Sequence, residues 1–254
     1  MDLPKNHFKA ALRDGRRQIG VWNTIGGNTA AEALASCGFD WVLVDAEHGA
    51  MDTLDVLPAL QAIAGYPQVS AVVRPPSGDP VIVKRLLDFG AQTLMIPYVQ
   101  TAAEAAALVS AMRYGPDGVR GSAGMTRAAR FGAVPDYAQQ AAEELCLIVQ
   151  IETVTALDGL EEIGSVRGVD ALFIGPADLA ASMGLRGQPG HDRVVAACED
   201  AIRRCHRLKI PVGILTLDPD LSRHFIQVGT TFDAVGVDLD FVVKGARQLR
   251  EAFR

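Results

Sequence analysis

CLIVQIETVTALDGLEEIGSVRGVDALFIGP (residues 146–176) holds one complete strand–helix–strand unit. CLIVQIE (146–152) and DALFIGP (170–176) are short and apolar on both faces, as strands buried beneath helices are. DGLEEIGSVRG lies between them and reads as helix. The alternation extends outward in both directions. Upstream lie QIGVW (18–22), WVLVD (41–45), SAVVRP (70–75) and TLMIPYV (93–99); downstream lie PVGILT (211–216) and FDAVGVD (232–238). Helical stretches separate them. AAEALASCG (30–38) is expected to end in a glycine cap at Gly38, and PVIVKRLLDFG (80–90) opens on proline and closes on glycine, the usual asymmetry of helix termini. AAEAAALVSAMRYG (102–115) and VVAACEDAIRRCHRLK (194–209) follow the same logic. Eight such units predict an α/β chain folded as a single (β/α)8 TIM barrel over 1–254. The alternative, a doubly wound open sheet, would carry G-x-G-x-x-G after its first strand. IGGNTA (25–30) lacks that spacing.

Composition narrows the function classes. Hydrophobic residues make up 49% of the 254, enough for a packed core and against disorder. The net charge of −6 comes from both signs spread along the chain. With no basic cluster, no nucleic acid and no membrane surface is expected as partner. Runs such as 41–44 and 147–149 are too short to span a bilayer. The first 20 residues lack the long apolar core of a secretory signal. Cys37, Cys146, Cys198 and Cys205 show no disulfide or zinc spacing, although Cys198 and Cys205 are placed to share a helix face. Reduced thiols and a cytoplasmic location are the expectation. One long irregular segment, YGPDGVRGSAGMTRAARFG (114–132), carries five glycines and three arginines. Loops of that length in a compact domain are usually functional or disordered.

In a barrel of this kind the site forms at the C-terminal ends of the strands. The polar residues there are Asp45, Glu47 and His48 after the second strand, Arg74 after the third, and Gln150 and Glu152 after the fifth. Asp178 follows the sixth, and Asp238 ends the eighth. Glu152 and Asp178 come from adjacent strands, which lie about 4.8 Å apart. Two carboxylates without His or Cys form a hard oxygen site suited to Mg²⁺ or Mn²⁺. The structural alternatives are a salt-bridged Glu152 and an Asp178 that N-caps the helix LAASMG. His48 among carboxylates suits acid/base work, against a plain exposed histidine. Arg74 suits oxyanion stabilisation, against a buried ion pair with a neighbouring acid.

At these residues the chain resembles a known family. FDWVLVDAEHG, VVRPPSGDPVIVKRLLDFGAQTLMIPYVQ, RYGPDGVRG, LIVQIET, FIGPADLAASMG and FDAVGVDLD are similar to the motifs of the class II pyruvate aldolases of the 4-hydroxy-2-oxoheptane-1,7-dioate type, the HpcH/HpaI aldolases. The likeness runs from about residue 8 to 250. It implies a divalent cation (Mg²⁺, Mn²⁺ or Co²⁺) on Glu152 and Asp178, with Gln150 and the Ala177 backbone on the bound oxo-acid. It implies His48 as acid/base, Arg74 as transition-state stabiliser and Asp88 as the acid that raises the histidine's basicity, acting across a subunit interface if it does not reach within the chain. Asp45 rivals Asp88 for that role by proximity in sequence.

The reaction implied is retro-aldol cleavage of a 4-hydroxy-2-oxo acid to pyruvate and an aldehyde such as succinate semialdehyde. A 2-dehydro-3-deoxy-sugar-acid aldolase of the glucarate or rhamnonate type is the alternative. An acyl-CoA lyase of the citrate-lyase β-subunit type and an oxo-acid-binding barrel without turnover are further ones. No Schiff-base lysine stands at a strand end, Lys84 and Lys209 both being helical. The chain departs from many relatives at Ala46, where they have Gly, and at Ala50 and Met51, where they have Pro and Asn; this loop is expected to border the aldehyde pocket. Arg120, Arg127 and Arg130 are candidates to hold a distal carboxylate, against solvated or interface arginines. A homo-oligomer, a hexamer, is implied, with exchange of the last helix, FVVKGARQLREAFR (241–254), between subunits.

Overall fold

A computed structural model describes all residues, 1–254. Eight parallel strands close into a barrel in sequence order: β1 (Gln18–Asn23), β2 (Trp41–Asp45), β3 (Ser70–Arg74), β4 (Thr93–Ile96), β5 (Cys146–Ile151), β6 (Ala171–Ile174), β7 (Val212–Leu215) and β8 (Phe232–Val237). Helix α1 (His7–Arg13) precedes β1. Helices α2 (Gly27–Ala35), α3 (Val56–Ile63), α4 (Pro80–Asp88), α5 (Ala102–Met112) and α6 (Tyr137–Glu144) lie between β1 and β5. Then come α7 (Val154–Asp158), α8 (Leu160–Gly164), α9 (Pro176–Ser182), α10 (Asp192–Leu208) and α11 (Pro219–Val228), and α12 (Asp238–Glu251) ends the chain. The fold is the (β/α)8 barrel read from the strand spacing. No helix is long and apolar enough to cross a membrane.

Two packed layers hold the barrel. Between sheet and helices, the outward strand residues Val42, Val44, Leu94, Val149, Leu172 and Ile214 meet the apolar stripes of the helices. Inside the barrel, Trp22, Trp41, Leu43, Met95, Ile148, Phe173 and Phe232 fill the axis. Gly20 makes this filling fit, because a Cβ there would lie 2.1 Å from the Trp41 ring. Phe8 of α1 closes the N-terminal end, edge-on to Trp41 at 5.8 Å and to Phe232 at 5.5 Å. The plug closes the barrel axis at its N-terminal end.

Local expectations held with shifted ends. The helix expected over 30–38 starts three residues earlier, at Gly27, and its C-cap is Ser36; Gly38 takes the left-handed conformation (φ 84°) two residues later, in the turn. In α4 the proline is N1, Asp79 caps the first turn, and Gly90 is left-handed (φ 93°) just past the C-cap Phe89. Of the stretch 158–168, Asp158 ends α7, Gly159 separates the two helices, and only Leu160–Gly164 forms α8. Asp178 is not an N-cap: α9 begins at Pro176 with Gly175 as cap, which puts Asp178 inside the first turn, where a carboxylate favours the helix dipole. Helix α12 is mostly exposed and presents Leu239, Phe241, Val242 and Leu249 to the surface.

Candidate active site

The register of β2 and β3 sets Asp45 directly beside Arg74. Arg74 donates from Nε to Asp45 Oδ1 at 2.9 Å and from Nη2 to Oδ2 at 2.7 Å, a bidentate pair with Asp45 wholly buried. Nη1 reaches Glu47 Oε2 at 3.0 Å. A guanidinium has five N–H groups, so two remain for a ligand. Its carbon stands 5.4 Å from the Trp22 ring centroid, which stacks the cation over the barrel filling. Buried pairing of Arg74 with a neighbouring acid is therefore present, and it coexists with a place in the cavity wall.

Proximity in sequence made Asp45 a rival partner for His48, and the structure corrects this. The Asp45 carboxylate is taken by Arg74 and by the backbone N–H groups of Glu47 and His48. The His48 ring is 68% exposed on the rim, with Nε2 3.7 Å from Glu47 Oε1. Glu47 thus bridges His48 and Arg74. Burial raises its carboxyl above the usual range, against the lowering pull of Arg74 and His48. Its signal in sequence was only its position in D-A-E-H, which does not say which way each side chain turns.

Across the mouth, Ile151 pairs with Ile174, so Glu152 and Gly175 follow at matching heights. A Cβ on Gly175 would stand 2.8 Å from Glu152 Oε2, so the glycine leaves the space the carboxylate occupies. Glu152 Oε1 accepts the N–H of Tyr98 at 2.6 Å, and Oε2 accepts from Gln150 Nε2 at 3.2 Å. Tyr98 makes its bond from a left-handed backbone (φ 55°) after Pro97, a conformation that sequence reading passed over. Burial drives the Glu152 carboxyl up to about 7; repulsion from Asp178 and Glu47 adds to this, and the Tyr98 bond opposes it.

A cavity of about 520 Å³ opens over these groups, lined by Trp22, Arg74, Gln150, Glu152, Ala177 and Asp178 on one side. The residues fit a divalent cation. Two carboxylates that repel one another gain from a positive charge between them, and Gln150 Oε1 is buried without a partner. Nowhere do three or more His, Cys, Asp or Glu converge in a metal-holding arrangement. Protein oxygens other than these, water or substrate would complete the shell of a hard cation, as magnesium commonly requires.

Other sequence candidates fall elsewhere. Asp238 accepts from Thr24 N–H and Oγ1, from Asn23 Nδ2 and from Ile25 N–H, and so ties the loop after β1 to α12. Asp88, at the end of α4, is bonded to Arg120 at 2.8 Å; no hydrogen bond or ion pair joins it to His48 in the chain. Arg120 is buried, stacks 4.4 Å above Tyr114, and leaves Nε and Nη1 without partners. Arg127 donates to the Phe89 carbonyl. With Arg130 it lines a separate cavity beside the start of β3 and β4, at the far end of the barrel. None of the three loop arginines lines the mouth. Nor do Ala46, Ala50 or Met51: Ala46 and Met51 are buried in the outer core. The same loop nonetheless reaches the pocket wall through Glu47, which pairs with Arg74.

The chain is similar to known proteins over nearly its whole length. The family model described as HpcH/HpaI aldolase/citrate lyase matches residues 18–245. A protein of Rhizobium etli named pyruvate aldolase is 56% identical, covering 100% of this chain and 99% of its own length. A hydroxypyruvate/pyruvate aldolase of Sagittula stellata is 53% identical over 95% of both. The crystal structure of an HpcH/HpaI aldolase/citrate lyase family protein from Burkholderia cenocepacia superposes with a TM-score of 0.94 at 40% identity, covering 98% of this chain and 100% of that one. The chain is a carbon–carbon lyase of the aldolase kind and belongs to the HpcH/HpaI aldolase/citrate lyase family.

Proposed function

We propose that the chain is a divalent-metal-dependent pyruvate aldolase that cleaves a 4-hydroxy-2-oxo acid reversibly to a three-carbon oxo-acid and an aldehyde. The observation that carries this reading is the Glu152–Asp178 carboxylate pair facing Arg74 across one cavity. Both relatives named above are pyruvate aldolases, one of them acting also on hydroxypyruvate by its name.

Glu152 and Asp178 would hold the cation, Mg²⁺, Mn²⁺ or Co²⁺. When bound, it supplies Lewis-acid polarisation of the 2-oxo group. Gln150, and the backbone N–H of Ala177 in the first turn of α9, where N–H groups have no helical partner, hold the oxo-acid in register. His48 accepts the proton of the 4-hydroxyl. The C3–C4 bond then breaks, its electron pair passes to C3, and the aldehyde carbonyl forms. Arg74, with two N–H groups free and a fixed orientation on Asp45, stabilises the enolate oxygen. Proton return to C3 gives pyruvate. Trp22 and Phe173 exclude water from the floor of the site.

Asp88 serves His48 of a neighbouring copy in this reading. The copies would form a hexamer that buries the apolar residues of α12 by exchange. The test is pyruvate release from a hydroxy-oxo-acid before and after chelation, paired with calorimetric Mn²⁺ binding. Cation binding that is lost in Asp178→Asn, together with activity restored by added metal, supports the reading. Full activity in the chelated protein, or a covalent adduct trapped by borohydride with pyruvate, would sink it.

A further inference from the structure

Resting on the reading of Glu152 as a cation ligand, we infer that Gln100 is a positioning residue of that site. Its side-chain amide holds the turn after β4 in the form that fixes the Glu152 carboxylate. Glu152 Oε1 accepts the backbone N–H of Tyr98 at 2.6 Å, the shorter of the two bonds that orient this carboxylate. That N–H is aimed by a left-handed backbone at Tyr98 (φ 55°), which a residue other than glycine adopts only at a cost. Such a conformation persists where its surroundings impose it. Gln100 supplies the constraint. Its Nε2 donates to the Tyr98 carbonyl at 3.3 Å, and its Oε1 accepts the hydroxyl of Thr153 at 2.6 Å.

These bonds close a ring around Glu152. Thr153 follows it directly in the chain, so one amide ties the residue after Glu152 to the turn whose N–H holds its side chain. The direction of the amide is determined. The Tyr98 carbonyl can only accept, so Nε2 faces it. The Thr153 oxygen already accepts the Ala156 N–H at 3.1 Å as the N-cap of α7, so its proton goes to Gln100 Oε1. The Gln100 backbone is itself anchored. Its N–H donates to Glu104 Oε2 at 2.6 Å, beside the capping box that Thr101 and Glu104 make at the start of α5. Pairing of β4 with β5 brings Gln100 to Thr153, 53 residues away in sequence. Every bond of the ring lies within one chain, so the clamp needs no neighbouring copy. Loosening the immediate support of a ligating carboxylate weakens the hold on the metal.

The experiment is calorimetric Mn²⁺ titration of the parent, Gln100→Leu and Thr153→Val, with denaturation curves to show that each is folded. We expect Gln100→Leu, which removes both side-chain bonds, to weaken Mn²⁺ binding by about tenfold. Adding Thr153→Val to it should weaken binding little further, because the two changes break the same bond. Adding Tyr98→Gly instead should recover about threefold in affinity, since glycine takes the left-handed backbone without strain. A residue that served only the stability of the fold would lower the denaturation midpoint and leave Mn²⁺ affinity where it was. Undiminished affinity in folded Gln100→Leu would therefore overturn the inference, and so would a loss that Tyr98→Gly does not reduce. If Gln100→Leu does not fold, Thr153→Val decides on the same terms: weakened binding supports the clamp and unchanged binding refutes it. Absence of Mn²⁺ binding by the parent would instead remove the cation reading on which the inference stands.

Discussion

Arg74 holds Asp45 through two near-parallel hydrogen bonds, 2.9 and 2.7 Å, across directly paired positions of β2 and β3. The pair is both a structural clamp and the means of aiming a catalytic cation. Substitutions that separate charge from geometry distinguish the two uses. Arg74→Ala leaves Asp45 buried and unpaired and should cost about 3–5 kcal/mol of stability. Arg74→Lys keeps the charge but loses the fork. We expect it to fold, with kcat reduced by about two orders of magnitude, of the size seen on removing one oxyanion donor. Denaturant titration and steady-state kinetics on both variants check this. An Arg74→Ala protein as stable as the parent would contradict the clamp.

Gly175→Ala adds one methyl 2.8 Å from Glu152 Oε2. The backbone there is ordinary (φ −101°), so the effect is steric. We expect a loss of about 1–3 kcal/mol from overpacking. Displacement of the carboxylate should weaken Mn²⁺ binding by about tenfold, in line with perturbation of a ligand's immediate support. Parallel calorimetric and thermal measurements would show both losses. Undiminished metal affinity would mean that Glu152 is not a ligand.

His48 and Asp88 make no contact within one chain: the first faces Glu47, the second Arg120. If they meet between copies, co-expressed His48→Ala and Asp88→Ala chains regenerate intact pairs by mixing. Random pairing predicts about a quarter of the parent activity. Recovery of none would rule out pairing between copies, and undiminished activity of Asp88→Ala alone would remove Asp88 from the reaction. Arg120→Ala should impair the same function, and should also cost about 3 kcal/mol, since it strips a partner from a largely buried pair.

Asp233, buried in β8, gives a stability prediction away from the site. Burial raises its carboxyl from 3.8 to about 6; the bond from Thr230 and the charge of Arg17 oppose that only in part, and Oδ2 has no partner. The folded chain therefore favours the neutral acid. That contribution is complete below the unfolded value and is lost as pH rises through about 6. Asp233→Asn should be more stable than the parent at about pH 8, by up to roughly 3 kcal/mol, with the advantage mostly gone near pH 4. Denaturation midpoints across that range test the sign. An advantage confined to low pH would refute it.

The strands were legible because a parallel barrel strand is buried on both sides, which leaves an apolar signature in every repeat: WVLVD and CLIVQI match β2 and β5 almost to the residue. The strand-end acids could be placed near one another because strand order alone makes Glu152 and Asp178 neighbours. Which carboxylate serves which cation was beyond sequence. In D-A-E-H, Asp45 turns inward to Arg74 while His48 stays at the surface, and that choice is made by the register with β3. Tyr98 falls inside TLMIPYV, which reads as strand, yet it stands two residues past the end of β4, where its backbone N–H holds Glu152 through a turn at φ 55°.

The sequence by itself determined the barrel, and marked its mouth and the acids there as candidates for a hard-cation site, since burial periodicity and side-chain chemistry are local properties. Only the tertiary structure decided that the loop arginines face away from the mouth and that leucines of β7 and α11 line the remaining space. Those outcomes follow from the packing of segments more than 80 residues apart, such as Arg127 and Leu217, and no local pattern encodes the distance between them.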